Sequence, residues 1–253
     1  MFLKQFLVSA IGLISLILWY SSYQISCFSL IIPILIGILL SKASFEYANA
    51  RKRCLANCYF NHNSILHKLL TKKVFITIVS ILNGIILSTI LMLNVIIFNL
   101  SDFIILTLDM FFILLVYNFM EKTQFLQNNV KYPILKNSVS FFSSAIFMII
   151  FLIINTYQTP PSYIQNDLVQ TIHIASNQIY SNCDFIDLIS RVSNEIVAIK
   201  WWIMIKVTIE TNNMYLKYIM WGIYLMGSYL MLFAFARVIT EILHIIKGHI
   251  NEK

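Results

Sequence analysis

Six stretches of this chain are long and apolar enough to cross a lipid bilayer, and that limits the fold more than any other feature. A crossing helix needs about 20 mostly apolar residues, because every backbone N–H and C=O must be satisfied within the segment. The sequence predicts such spans over 6–20, 25–40, 74–98, 103–120, 139–154 and 218–236. Composition agrees: 59% of the 253 residues are hydrophobic and 11% are charged, against about 45–50% and 25% in soluble domains. A water-soluble enzyme, a disordered chain and a disulfide-stapled secreted module are all poor fits.

The loops set an orientation. The net charge is +7, and cationic side chains of membrane proteins collect on the cytoplasmic side. Residues 41–73 carry Lys42, Arg51, Lys52, Arg53, Lys68, Lys72 and Lys73 against the single acid Glu46. The joint at 21–24 and the turn at 99–102 carry no base. Six spans with both termini cytoplasmic put every strongly basic loop inside. This predicts an all-α integral membrane protein of the bacterial inner (plasma) membrane: a six-helix transmembrane bundle with an external helical hairpin before the last span. Residues 1–155 hold five spans and the basic loop, 156–213 form the external segment, and 214–253 form the sixth span and an amphipathic cytoplasmic tail. A signal peptide at 1–20 is disfavoured, since no small-x-small cleavage site follows Lys4 and its apolar run. A seventh span over 196–209 would bury Lys200 and Lys206, at roughly 2.5–3.5 kcal/mol for each central charge.

Two segments lie outside the spans. In 156–213, Ser162 and Gln165 suggest a capping-box start, and Ile164, Leu168, Ile172, Ala175 and Ile179 recur at helical spacing. Asp184 and Asp187 open a second helix on which Arg191 and Glu195 are spaced for an i,i+4 pair. Ile203, Ile205, Val207 and Ile209 alternate with polar or flexible residues, which fits either a short strand or a helix along the membrane. The loop 41–73 reads as a basic helix. Its Arg51, Lys52 and Arg53 suit anionic headgroups, at roughly 1 kcal/mol per base, or a cytosolic protein partner.

Four cysteines are present: Cys27, Cys54, Cys58 and Cys183. With two of them cytoplasmic, Cys183 alone outside and Cys27 near a membrane end, no structural disulfide is expected. Cys54, Cys58 and His62, with His67 beyond, fall one turn apart, but not in the paired spacing that marks a zinc site, and no metal is assigned.

Asp109 is the most informative single residue, because a carboxylate inside a span is costly unless neutral, paired or facing water. Reflection through the turn at 99–102 brings Asn94 to a similar depth, so Asp109 is expected either to handle a proton or cation or to bond Asn94 across two helices. Asn83 is a further polar candidate. Arg237, Glu241, His244 and Lys247 recur at helical spacing beyond the last span and predict a salt-bridged amphipathic tail. No phosphate loop, nucleophile elbow or zinc helix is present. No catalytic residue or cofactor is therefore assigned, an enzyme is not expected, and nucleic acid is not an expected partner.

Six spans, a basic helical loop after the second and an external helical segment before the sixth resemble the layout of ABC-2-type permeases, a likeness of architecture rather than of motif. It implies the membrane-spanning subunit of a transporter or exporter working with a separate cytosolic partner such as an ATPase. The alternatives are a pore-forming or membrane-perturbing effector of the toxin or defence type, and a structural subunit of a larger membrane complex.

Overall fold

The computed structural model describes residues 2–59, 72–123, 130, 132–157, 161–210 and 214–251. The elements are α1 (Phe2–Ser22), a 3-10 turn (Cys27–Leu30), α2 (Ile31–Tyr59), α3 (Lys73–Ile96), α4 (Leu100–Lys122), α5 (Tyr132–Tyr157), α6 (Leu168–Ser176), α7 (Asp184–Glu210) and α8 (Met214–Asn251). No strand occurs among the described residues. Helices α1 to α5 and α8 are each long and apolar enough to cross a membrane, so the chain is all-helical with six candidate spans.

Local sequence accounts for the helix starts. Pro33 and Pro133 sit in the first turn of α2 and α5, where a missing N–H costs nothing. Asp102 accepts the Asn99 N–H at 2.9 Å and so caps α4. The expected turn at 99–102 is therefore the cap and first residues of a helix that begins at Leu100. Likewise α5 begins at Tyr132 rather than near Val139, and α8 runs without a break well past the expected span end at Ala236.

Helix α8 is the axis of the bundle, packing against α1, α2, α3, α4, α5 and α7. Leu232, Ala234, Phe235, Ala236 and Ile239 are fully enclosed, the pattern of a helix apolar on every side. The outer helices carry exposed apolar stripes, as on α3, where Val74, Ile78, Ile81, Leu82 and Ile85 face outward. Continuous apolar surface of that kind suits hydrocarbon rather than water.

The longest shared flank joins α2 and α3. A Cβ on Gly84 would lie 2.6 Å from the Ser41 backbone nitrogen and 2.8 Å from the Gly37 carbonyl. Gly37 and Ser41 on α2 thus meet Gly84 and Ser88 on α3, two small-xxx-small pairs that let the backbones approach. Ser88 also donates to the Pro33 carbonyl at 2.7 Å.

Helices α6 and α7 cover one end of the bundle, here the capped end. Asn194 donates to the Ala175 carbonyl at 2.6 Å and joins α7 to α6. Ser193 donates to the Leu93 carbonyl at 3.4 Å and joins α7 to α3. Several expectations are corrected in this region. Cys27 and Cys183 form a disulfide, contrary to the expected free thiols. Ser181 donates to the Tyr23 carbonyl at 2.6 Å and Asn182 N–H to the Gln24 carbonyl at 3.1 Å, so the chain on both sides is already held together. The alternating stretch at 203–210 is helical, because it continues the hydrogen-bonded register of α7. Arg191 pairs with Asp187 at 2.8 Å, one turn back, rather than with Glu195. Helix α6 starts at Leu168, where Asp167 accepts the Gln170 N–H at 3.3 Å, rather than at Ser162.

Candidate functional site: a buried polar seam between α4, α5 and α8

At the end of the bundle opposite the cap, charges from three helices meet. Lys136 on α5 donates to Glu46 of α2 and to Glu241 of α8, each at 2.7 Å. Lys42 of α2 approaches Glu241 at 3.6 Å and Glu46 at 3.9 Å. Glu241 is only 1% exposed and Lys136 5%, whereas Lys42 is 49% exposed. One turn before Glu241 along α8, buried Arg237 donates to the Asn137 side-chain oxygen at 3.0 Å, with its guanidinium over the rings of Tyr47 and Phe233. The expected salt-bridged tail does carry ion pairs at Glu241, but they run to α2 and α5 rather than along α8, and Arg237 and Glu241 are buried. Helix α8 packs inward there because α2 and α5 supply cations and acceptors that Glu241 and Arg237 require. His244 lies against Tyr132, with ring centroids 4.6 Å apart.

From this cluster a line of hydroxyls climbs the inner face of α5. Ser140 lies 3.1 Å from Thr240 of α8 and donates to the Lys136 carbonyl at 3.1 Å. Ser144 donates to the Ser140 carbonyl at 2.5 Å. Ser143 donates to Asp109 of α4. All of these side chains are buried. Spacings of three and four residues keep Lys136, Ser140, Ser143 and Ser144 on one face of the helix. The rise from Lys136 to Ser143 is about 10 Å. The seam is a polar stripe rather than an unbroken hydrogen-bond wire, since Ser140 and Ser143 stand one turn apart.

Asp109 ends the stripe near the middle of its span. It is 0% exposed, and its Oδ2 has no hydrogen-bond partner. The expected partnership with Asn94 does not form, because α4 packs on α5, α8 and α1. Asn94 instead donates to the Ile90 carbonyl of its own helix at 2.7 Å and lines a cleft at the capped end. Asn83 donates to Ser44 at 2.9 Å and ties α3 to α2. Arg51 is exposed and donates to the Tyr47 hydroxyl at 3.2 Å. The side chains of Lys52, Arg53, Cys54 and Cys58, and residues His62 and His67 altogether, lie outside what the structure describes.

Among the described residues no three His, Cys, Asp or Glu side chains are grouped to hold a metal ion. Chemically, the seam can hold a proton or a small cation on Asp109, present hydroxyls as donors or acceptors beside it, and balance charge at the lysine–glutamate cluster. The serines carry the one signal that sequence reading overlooked: three hydroxyls at helical spacing within an otherwise apolar span.

Comparison with protein-family models, with curated proteins and with solved structures finds no match for this chain.

Proposed function

We propose that this chain is a membrane-spanning transport protein in which Asp109 carries a proton or small cation through the middle of the bilayer. The observation that carries this is the Asp109 carboxyl itself, enclosed at mid-span with one oxygen unpartnered, at the head of a buried hydroxyl stripe. An ionisable group at that depth is expensive and is found mainly where ions or protons pass. The stripe offers polar stepping points from the charged cluster to Asp109, while Leu106 and Met110, fully buried beside it on α4, bar free water flow.

The cluster end is assigned to the cytoplasm and the capped end to the outside. Two independent features support that assignment. The basic residues at 41–53 flank the cluster end. The Cys27–Cys183 disulfide belongs to the capped end, and such bonds persist in oxidising compartments. The arm of α2 beyond Lys42 then faces the cytoplasm, where the exposed Arg51 can meet anionic lipid headgroups or an energy-coupling partner.

The test is proton flux in liposomes containing the purified protein and a pH-sensitive dye, driven by a potassium–valinomycin potential. Asp109→Asn keeps the shape and a hydrogen bond to Ser143 but cannot carry charge. Flux above that of empty liposomes that is lost in Asp109→Asn, with gel-filtration profile and near-ultraviolet circular dichroism retained, supports the proposal. Flux equal in wild type and variant would reduce Asp109 to a tie between α4 and α5.

A further inference from the structure

The capped end holds a cleft of about 510 Å³, within the size range of small-molecule sites. Its walls come from six helices and the loops between them and include Tyr20, Phe151, Tyr163 and Trp201, with Asp102 and Lys200 as the charged members. Asp102 is 7% exposed. One carboxylate oxygen caps α4 through the Asn99 N–H, and the other has no hydrogen-bond partner. Lys200, on α7 and outside the spans, places its ammonium 4.1 Å from the centroid of the Tyr224 ring. Burial holds its pKa down to about 8. Neither Asp102 nor Lys200 takes part in any ion pair found among the described residues.

This is an unusual arrangement. Two opposite charges line one cavity, both are largely withdrawn from water, and neither neutralises the other. A buried charge without an opposite charge is costly, and the Tyr224 ring and the Asn99 N–H offset only part of that cost, so a ligand supplying both counter-charges would be favoured in this space. Aromatic walls suit an apolar body between them.

We propose that the cleft binds a small zwitterion with separated charges, of the size of a di- or tripeptide, its carboxylate on Lys200, its ammonium on Asp102 and its side chains against the aromatic walls. This site does not depend on the role given to Asp109, because binding is read at equilibrium without flux.

The test is calorimetric titration of the full chain in lipid nanodiscs with the tripeptide Ala-Phe-Ala, its N-acetyl form and its C-terminal amide. Blocking either end is expected to weaken binding at least about tenfold, since each cap removes a charge-assisted contact. Lys200→Gln should abolish discrimination against the amide while keeping discrimination against the acetyl form. Asp102→Asn, which retains an oxygen to cap α4, should do the reverse. Equal binding of all three peptides, no binding at roughly 10 mM, a concentration that still reveals weak sites, or unchanged discrimination in both variants would each overturn the proposal. Wild-type values of the melting temperature and of near-ultraviolet circular dichroism in both variants keep a folding defect from passing as a binding one.

Discussion

Lys136 and Lys42 carry the same charge and approach the same two carboxylates, yet the structure assigns them very different weights. Lys136 is 5% exposed and holds Glu46 and Glu241 at 2.7 Å each, whereas Lys42 is 49% exposed and stands 3.6 and 3.9 Å from them. Removing one member of a buried ion pair costs about 3–5 kcal/mol, because the remaining charge stays buried without its partner. Lys42 is close enough to compensate part of that loss, so Lys136→Met is expected near the lower bound, about 3 kcal/mol. Lys42→Met removes a solvent-screened contact and should cost less than about 1 kcal/mol. The double variant Lys136→Met, Glu241→Met removes the stranded charge as well, and burying apolar groups in place of a buried pair is often neutral or better. It should regain most of the loss. The assay is reversible unfolding in mixed micelles with increasing dodecyl sulfate, followed by tryptophan fluorescence. Equal costs for the two lysine variants, or a double variant worse than Lys136→Met, would refute the claim that burial rather than contact sets the energy of this cluster.

Two further outcomes follow from the capped end. Maleimide labelling of the denatured, unreduced protein should block two of the four thiols, and all four after reduction, because Cys27 and Cys183 are joined; four reactive thiols before reduction would exclude the bond. Replacing both bonded cysteines by serine should lower stability by about 2–5 kcal/mol, most visibly as protease sensitivity of α6 and α7. The second outcome concerns Lys200, whose pKa is lowered from 10.5 to about 8 in the fold. A cation with a depressed native pKa destabilises the fold fully below that pKa, and the penalty is relieved as pH climbs towards the unfolded value. Stability should therefore rise by about 1–2 kcal/mol between roughly pH 7 and 9.5. Lys200→Met should abolish the rise, and a rise retained in that variant would assign it to another group.

What the sequence made legible were the elements whose signal is continuous. Apolar runs locate all six candidate spans, since lipid and core alike demand them over a full helix length. Partnerships across the bundle were hidden for a physical reason. Lys136, Glu46 and Glu241 each fall near the end of an apolar run, where a charge is ordinarily solvated, and their partners are 90 and 105 residues away. The same distance hides the Cys27–Cys183 bond, whose members are 156 residues apart. Asp109 was identified by its depth, but its partner was sought on the preceding helix, α3, across the short turn, whereas it lies on the following one, α5. Chain adjacency constrains only the turn at 99; which neighbour α4 presents Asp109 to is decided by packing around α8. The close approach at Gly84 was written in the two small-xxx-small pairs, but such pairs name a contact only when the opposing helix is known.

The two polar ends of the bundle differ in a way that bears on what each is for. At the cluster end the buried charges have partners: Lys136 lies between two carboxylates, and Arg237 has an amide oxygen and two aromatic faces. Glu241 Oε1 has no hydrogen bond but lies 3.6 Å from the Lys42 ammonium, so the cluster is balanced by the chain's own charges and ties α2, α5 and α8 together. At the capped end Asp102 and Lys200 line a shared cavity without an ion pair, Asp102 held only by the Asn99 N–H and Lys200 over the Tyr224 ring, and at mid-span Asp109 keeps an unpartnered oxygen. Burial makes each of these groups costly, a cost that the cap on α4 offsets in part for Asp102. Open polar groups at two levels of one bundle, above a cluster balanced by its own charges, are the contrast on which the proposed proton transfer and the proposed ligand site rest.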